Sequence, residues 1–141
     1  MSEPWRTHLV LPRVHDAELL AGRAVYDVGQ RLGFAHDTLE EVKLAVVEAC
    51  LNALEHGDGD VEVEVIAHPD RAPVSLEVLI VDHGPGFDPA RIPTPRIEVK
   101  LRGNRKRGWG LELIRHLMDE VEVTSRPGFT QVRLLRLRGG D

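Results

Sequence analysis

The chain has 141 residues, 42% of them hydrophobic and 29% charged, a soluble folded composition with material for one domain core and little more. No run of about 18 apolar residues occurs, which excludes a spanning helix, and the first ten residues lack the charged and apolar segments of a secretion signal. A net charge of −5 argues against direct nucleic-acid binding, and the single cysteine, Cys50, can form no internal disulfide, which fits a reducing, cytoplasmic setting.

Residues 5–11 (WRTHLVL) alternate loosely and end at Pro12, as a short strand does; Trp5 and Leu9 are assigned to the core rather than to a dimer face. From His15 to Leu32, the residues Leu19, Leu20, Ala24, Val25, Val28 and Leu32 recur at helical spacing, and Gly33 supplies a stop. Asp37 is assigned as the cap of a second helix, with Glu40 three residues on as in a capping box. Leu39, Val42, Ala45, Val46, Ala49, Cys50, Ala53 and Leu54 mark its apolar side, and the turn GDGD at 57–60 ends it.

VEVEVIAH (61–68) alternates strictly and VSLEVLIVD (74–82) becomes apolar toward its end, so the two predict a hairpin around the turn 69–73. Residues 87–107 contain Pro89, Pro93 and Pro95, which exclude a regular helix or central strand and predict a long functional loop. A helix restarts over 108–118, and strands at 121–125 and 130–137 close a second hairpin. Strand, helix, helix, two strands, loop, helix, two strands, with short connections, predicts one domain over 1–141. Its expected form is an α+β two-layer sandwich, with helices on one face of a mostly antiparallel mixed sheet.

Three short motifs carry chemistry. In EACLNALEHG, Glu48, Asn52 and His56 lie four residues apart and share one face of an otherwise apolar helix. Asp82 ends a buried strand and is followed by Gly84, Pro85 and Gly86; an unpaired carboxylate there is costly and requires a donor, such as a ligand amine. Gly108-Trp109-Gly110-Leu111 opens a helix directly after Arg105, Lys106 and Arg107, and free N–H groups at a helix start attract phosphate. Charge distribution points the same way. The stretch 91–107 holds seven Arg/Lys against one acid, a net +6 on a remainder of −11, which predicts a local anion site. Neither a Walker A loop nor a Rossmann fingerprint is present, and no Cys/His cluster has zinc spacing.

In this order and on these elements, E-x-x-x-N-x-x-x-H, D-x-G-x-G and G-x-G-L resemble the N, G1 and G2 boxes of the GHKL superfamily, whose Bergerat-fold ATP-binding domain is shared by gyrase, MutL and sensor histidine kinases. Within it the chain is most similar to the stand-alone anti-sigma-factor serine/threonine kinases of the RsbW type. The resemblance implies that Asn52 coordinates Mg²⁺ bridged to the ATP phosphates, an amide oxygen being a suitable hard ligand. It implies Glu48 as general base toward a Ser/Thr hydroxyl and Asp82 as acceptor for the adenine amino group. Gly84 and Gly86 would lie near the base and ribose, and Gly108, Gly110 and Leu111 at the phosphates. Arg105 or Arg107 would meet the γ-phosphate from an ATP lid at 87–107. Thr130 would supply an adenine-side hydroxyl, although Phe129 separates it from Gly128. His56 matches the N-box histidine, and a helix-end histidine favoured by the dipole explains it equally.

The implied function is phosphorylation of a STAS-domain anti-anti-sigma protein and sequestration of a sigma factor, by a homodimer. The chain offers no upstream phospho-acceptor histidine helix and no following transducer domain, so its acceptor is expected in another protein. Two other readings remain: a nucleotide-gated binding module with little or no phosphoryl transfer, and an ATP hydrolase without a protein acceptor.

Overall fold

The computed structural model describes residues 4–56, 59–84 and 107–139. Along the chain run β1 (Trp5–Leu11), α1 (Glu18–Arg31), α2 (His36–His56), β2 (Val61–His68), β3 (Ser75–Asp82), α3 (Arg107–Leu117), β4 (Glu120–Arg126) and β5 (Phe129–Leu137). The strands form one sheet in the order β1-β2-β3-β5-β4, and every ladder among them is antiparallel. β2 and β3 form the expected first hairpin and β4 and β5 the closing one. β5 inserts between β3 and β4, so those two strands run in the same direction without touching. The α+β sandwich is as expected, with no parallel pair among the described strands.

Alternation on the strands decides which face the helices cover. Val61, Val63, Val65 and Ala67 of β2 and Leu76, Val78 and Ile80 of β3 are buried with Ala21, Val25 and Val28 of α1, Leu39, Val42 and Val46 of α2, and Ile114 and Met118 around the end of α3. Burial of side chains of this size stabilises by about 1.5–3 kcal/mol each. The first two helices approach closely because Gly29 lies between them: a Cβ there would stand 2.2 Å from Leu39 Cδ2 and 3.2 Å from Leu76 Cδ2. Gly33 ends α1 with φ +82°, its N–H donating to Gln30 O at 3.0 Å and the Phe34 N–H donating to Gly29 O at 3.1 Å. That is a Schellman cap, and its left-handed residue requires glycine.

Three local expectations differ. Leu19 and Leu20 are exposed, at 51% and 57%, because the buried stripe of α1 is Ala21, Val25 and Val28, about a residue further round. Asp37 is not a cap: α2 starts at His36, Leu39 N–H donates to Ala35 O, and Asp37 lies inside the first turn, where its charge complements the helix dipole. Trp5, the first residue of the edge strand β1, is 41% exposed, whereas Leu9 packs against the core as expected.

Cys50 is fully buried; burial first, then the charge of Glu18, raises its thiol far above the usual range, so it is a protonated core filler. On the sheet face opposite the helices, Ile66, His68 and Leu135 are also buried, beneath an ionic cluster. Glu77 accepts from His68 Nε2 at 2.7 Å and from Arg133 Nε at 2.5 Å, and Arg133 Nη1 reaches Glu120 at 3.1 Å and Glu122 at 3.4 Å.

Candidate functional site

One end of the sheet collects the described parts of the three motifs, and the topology shows why. Leu11 at the end of β1 pairs with Val61 at the start of β2, and Asp82 at the end of β3 pairs with Thr130 at the start of β5. The short link after His56 brings the last turn of α2 to this end, and α1 starts there. At the opposite end Glu120 pairs with Leu135, so α3, which leads into Glu120, points its first turn back toward Asp82. The positive pole of α3 and the negative pole of α2 therefore face the same region.

On α2, Ala49, Cys50 and Ala53 are buried, while Glu48 and Asn52, one turn apart, are half-buried. The Asn52 Oδ1 atom is buried without a hydrogen-bond partner among the described residues. Such an orphan normally costs about 1–3 kcal/mol, so its retention on a wall facing the motif end points to a ligand. A lone amide oxygen is a suitable donor for a hard cation that keeps most of its waters, so the residue fits Mg²⁺.

Asp82 is 7% exposed. Burial pushes its carboxyl above the usual range, and the Gly84 N–H, His83 and Arg13 pull it partly back. Gly84 N–H donates to Asp82 Oδ1 at 3.0 Å. Gly84 is itself buried, and its carbonyl accepts from Gly128 N–H at 3.0 Å. Gly128 has φ +85°, so the turn between β4 and β5 needs glycine to make that bond. Thr130, 2% exposed, exchanges a 2.8 Å hydrogen bond with Ser125 Oγ across the same hairpin. Asp82 and Thr130 thus pair across β3 and β5, with Gly84 bonded back to Asp82 just past β3 and Asn52 in the last turns of α2 at the same end.

Gly108 and Gly110 lie in the first turn of α3, as does the backbone of Arg107, and Leu111 is buried beneath it. Gly86, Arg105 and nearly all of the expected lid at 87–107 lie outside the described residues, as does the side chain of His56.

Sequence reasoning missed two contributors. Gly128 was legible only as a turn residue, although its positive φ serves the site. Arg13 carried no signal, because it follows a strand and belongs to none of the three motifs. Its Nη2 donates to the Leu54 carbonyl in the last turn of α2.

Among the described residues no helix is long and apolar enough to cross a membrane. Residues 14–136 match the histidine kinase-like ATPase domain family. The chain is 34% identical over 125 residues to the serine-protein kinase RsbW of Bacillus velezensis, covering 79% of this chain and 73% of that protein. It is 33% identical to RsbW of Bacillus subtilis, again over 79% and 73%. The fold is similar to a structure of RsbU and RsbW domains from Mycobacterium tuberculosis, with TM-score 0.68 at 18% identity over 96% of this chain and 33% of that one. It is also similar to a chain of the SiaB–SiaC complex from Pseudomonas aeruginosa, with TM-score 0.57 at 14% identity over 93% and 89%. The chain belongs to the histidine kinase-like ATPase domain family, and within it to the RsbW serine-protein kinases.

Proposed function

We propose that the chain is a single ATP-binding domain that transfers the γ-phosphoryl group of ATP to a serine or threonine of a STAS-domain anti-anti-sigma protein, and that it sequesters a sigma factor while that antagonist is phosphorylated. The observation that carries the reading is the buried Asn52 Oδ1, unpartnered among the described residues, one turn beyond Glu48. The RsbW relatives support the reaction class.

Asp82 accepts the adenine amino group beside the Gly84 turn, with Gly86 following it and Thr130 on the adjacent strand. The N–H groups of Gly108, Gly110 and Leu111 at the start of α3 bind phosphate oxygens, where the helix pole favours the charge. Asn52 is the residue that would hold Mg²⁺, which when bound neutralises phosphate charge. Arg105 and Arg107 complete the anion site. Glu48 takes the proton of the acceptor hydroxyl, whose oxygen then attacks the γ-phosphorus as ADP leaves. The protein acts in the cytoplasm as a homodimer.

Purified protein is incubated with Mg²⁺, γ-labelled ATP and the small STAS-domain proteins of its host, with Glu48→Ala alongside. Label on a serine or threonine that disappears in the variant is the expected result. Bound ATP with no label on any of them would refute transfer and leave a nucleotide-gated binding module.

A further inference from the structure

The loop from β1 to α1 is built more tightly than a connection requires. Pro12 restricts its own backbone, and Val14 N–H donates to Pro12 O at 2.8 Å, closing a γ-turn around Arg13. Ala17 N–H then donates to Val14 O at 3.2 Å, and Asp16 holds φ +67°, uncommon for a residue other than glycine. This turn presents the Arg13 side chain to the site end of the molecule.

The guanidinium donates to Leu54 O, one of the carbonyls that α2 leaves unpaired at its C-terminus. Leu54 is two residues beyond Asn52. The charge of Arg13 also adds, after the Gly84 N–H and His83, to what lowers the Asp82 carboxyl against the larger effect of burial. A side chain from a third element is thus tied to the last turn of the helix that carries Glu48 and Asn52.

We infer that Arg13 is a positioning residue for nucleotide: by holding the last turn of α2, it sets the position of the wall, Asn52 included, that meets the phosphates. The inference rests on the ATP-site reading above. It assigns Arg13 to binding rather than to the transfer step, because Glu48 lies a turn and a half earlier on α2 than the carbonyl Arg13 holds.

The test measures ADP affinity by calorimetry, KM and kcat for ATP in the transfer reaction, and thermal melting, for the wild type, Arg13→Ala and Arg13→Lys. Arg13→Ala should weaken ADP and raise KM by about tenfold, the scale of one charge-assisted hydrogen bond, with kcat nearly unchanged. Arg13→Lys keeps the charge without the planar fork and should recover part of the affinity. A folded Arg13→Ala with unchanged ADP affinity overturns the inference. So does a variant in which kcat and melting temperature fall together while KM stays constant, since that describes a strut. If Arg13→Ala does not fold, Arg13→Lys decides: ADP affinity equal to wild type overturns the inference, and a partial loss at constant kcat supports it. A wild type that binds no adenine nucleotide overturns the ATP-site reading itself.

Discussion

Replacing Asp82 by Asn separates binding from folding. In the wild type, Oδ1 already accepts the Gly84 N–H at 3.0 Å, so, among the described residues, the second oxygen is the one left for a ligand donor. In Asp82→Asn the amide oxygen keeps the Gly84 bond and the NH₂ group takes the other position, placing a donor against the amino group of adenine. A hydrogen bond to a charged group contributes about 1.5–3 kcal/mol, so affinity should fall by about 10- to 150-fold. The fold should not suffer. Burial raises the Asp82 carboxyl, so ionised Asp82 is a net cost to the native state at neutral pH, and a neutral amide removes that cost. Calorimetry with ADP and a melting curve on the same sample check both halves: a large rise in Kd at equal or higher melting temperature. Unchanged affinity would refute the adenine assignment, and lost affinity with a collapsed melting temperature would make Asp82 a structural residue.

Asn52→Ala should abolish the Mg²⁺-dependent part of ADP affinity while leaving melting unchanged, since the atom removed has no described partner; equal Mg²⁺ dependence in calorimetry would place the ion elsewhere. Gly29→Ala should destabilise by about 1–3 kcal/mol, because the new Cβ meets Leu39 and Leu76 inside a packed core. Denaturant titration checks it, and an unchanged midpoint would mean that Leu39 swings aside. For Glu77, burial favours the neutral form, but the His68 and Arg133 hydrogen bonds outweigh it and hold the carboxyl below its ordinary value. Its stabilisation is therefore complete above the unfolded value of about 4.3 and lost as pH falls through the lower folded value. Glu77→Gln should flatten that acid limb of the stability–pH curve, and an unaltered limb would refute the role of the cluster.

Local pattern carried much of this protein. Strict alternation in VEVEVIAH and the 3.6-residue spacing from Leu39 to Leu54 specify element type and inward face, because each depends only on near neighbours. Glu48, Asn52, Asp82 and the glycines at 108 and 110 were equally visible, since a polar stripe in an apolar helix or an acid ending a buried strand contradicts its surroundings. What periodicity cannot specify is which element each face meets. The insertion of β5 between β3 and β4 depends on pairings far apart in sequence, and that insertion makes Asp82 and Thr130 neighbours. The meeting of His68, Glu77 and Arg133 on the far face depends on three strands meeting in register. Leu19 and Leu20 are apolar and well spaced, yet exposed, because the rotation of α1 is decided by the close contact at Gly29. Arg13 is only a residue after a proline until tertiary packing brings the Leu54 carbonyl within its reach.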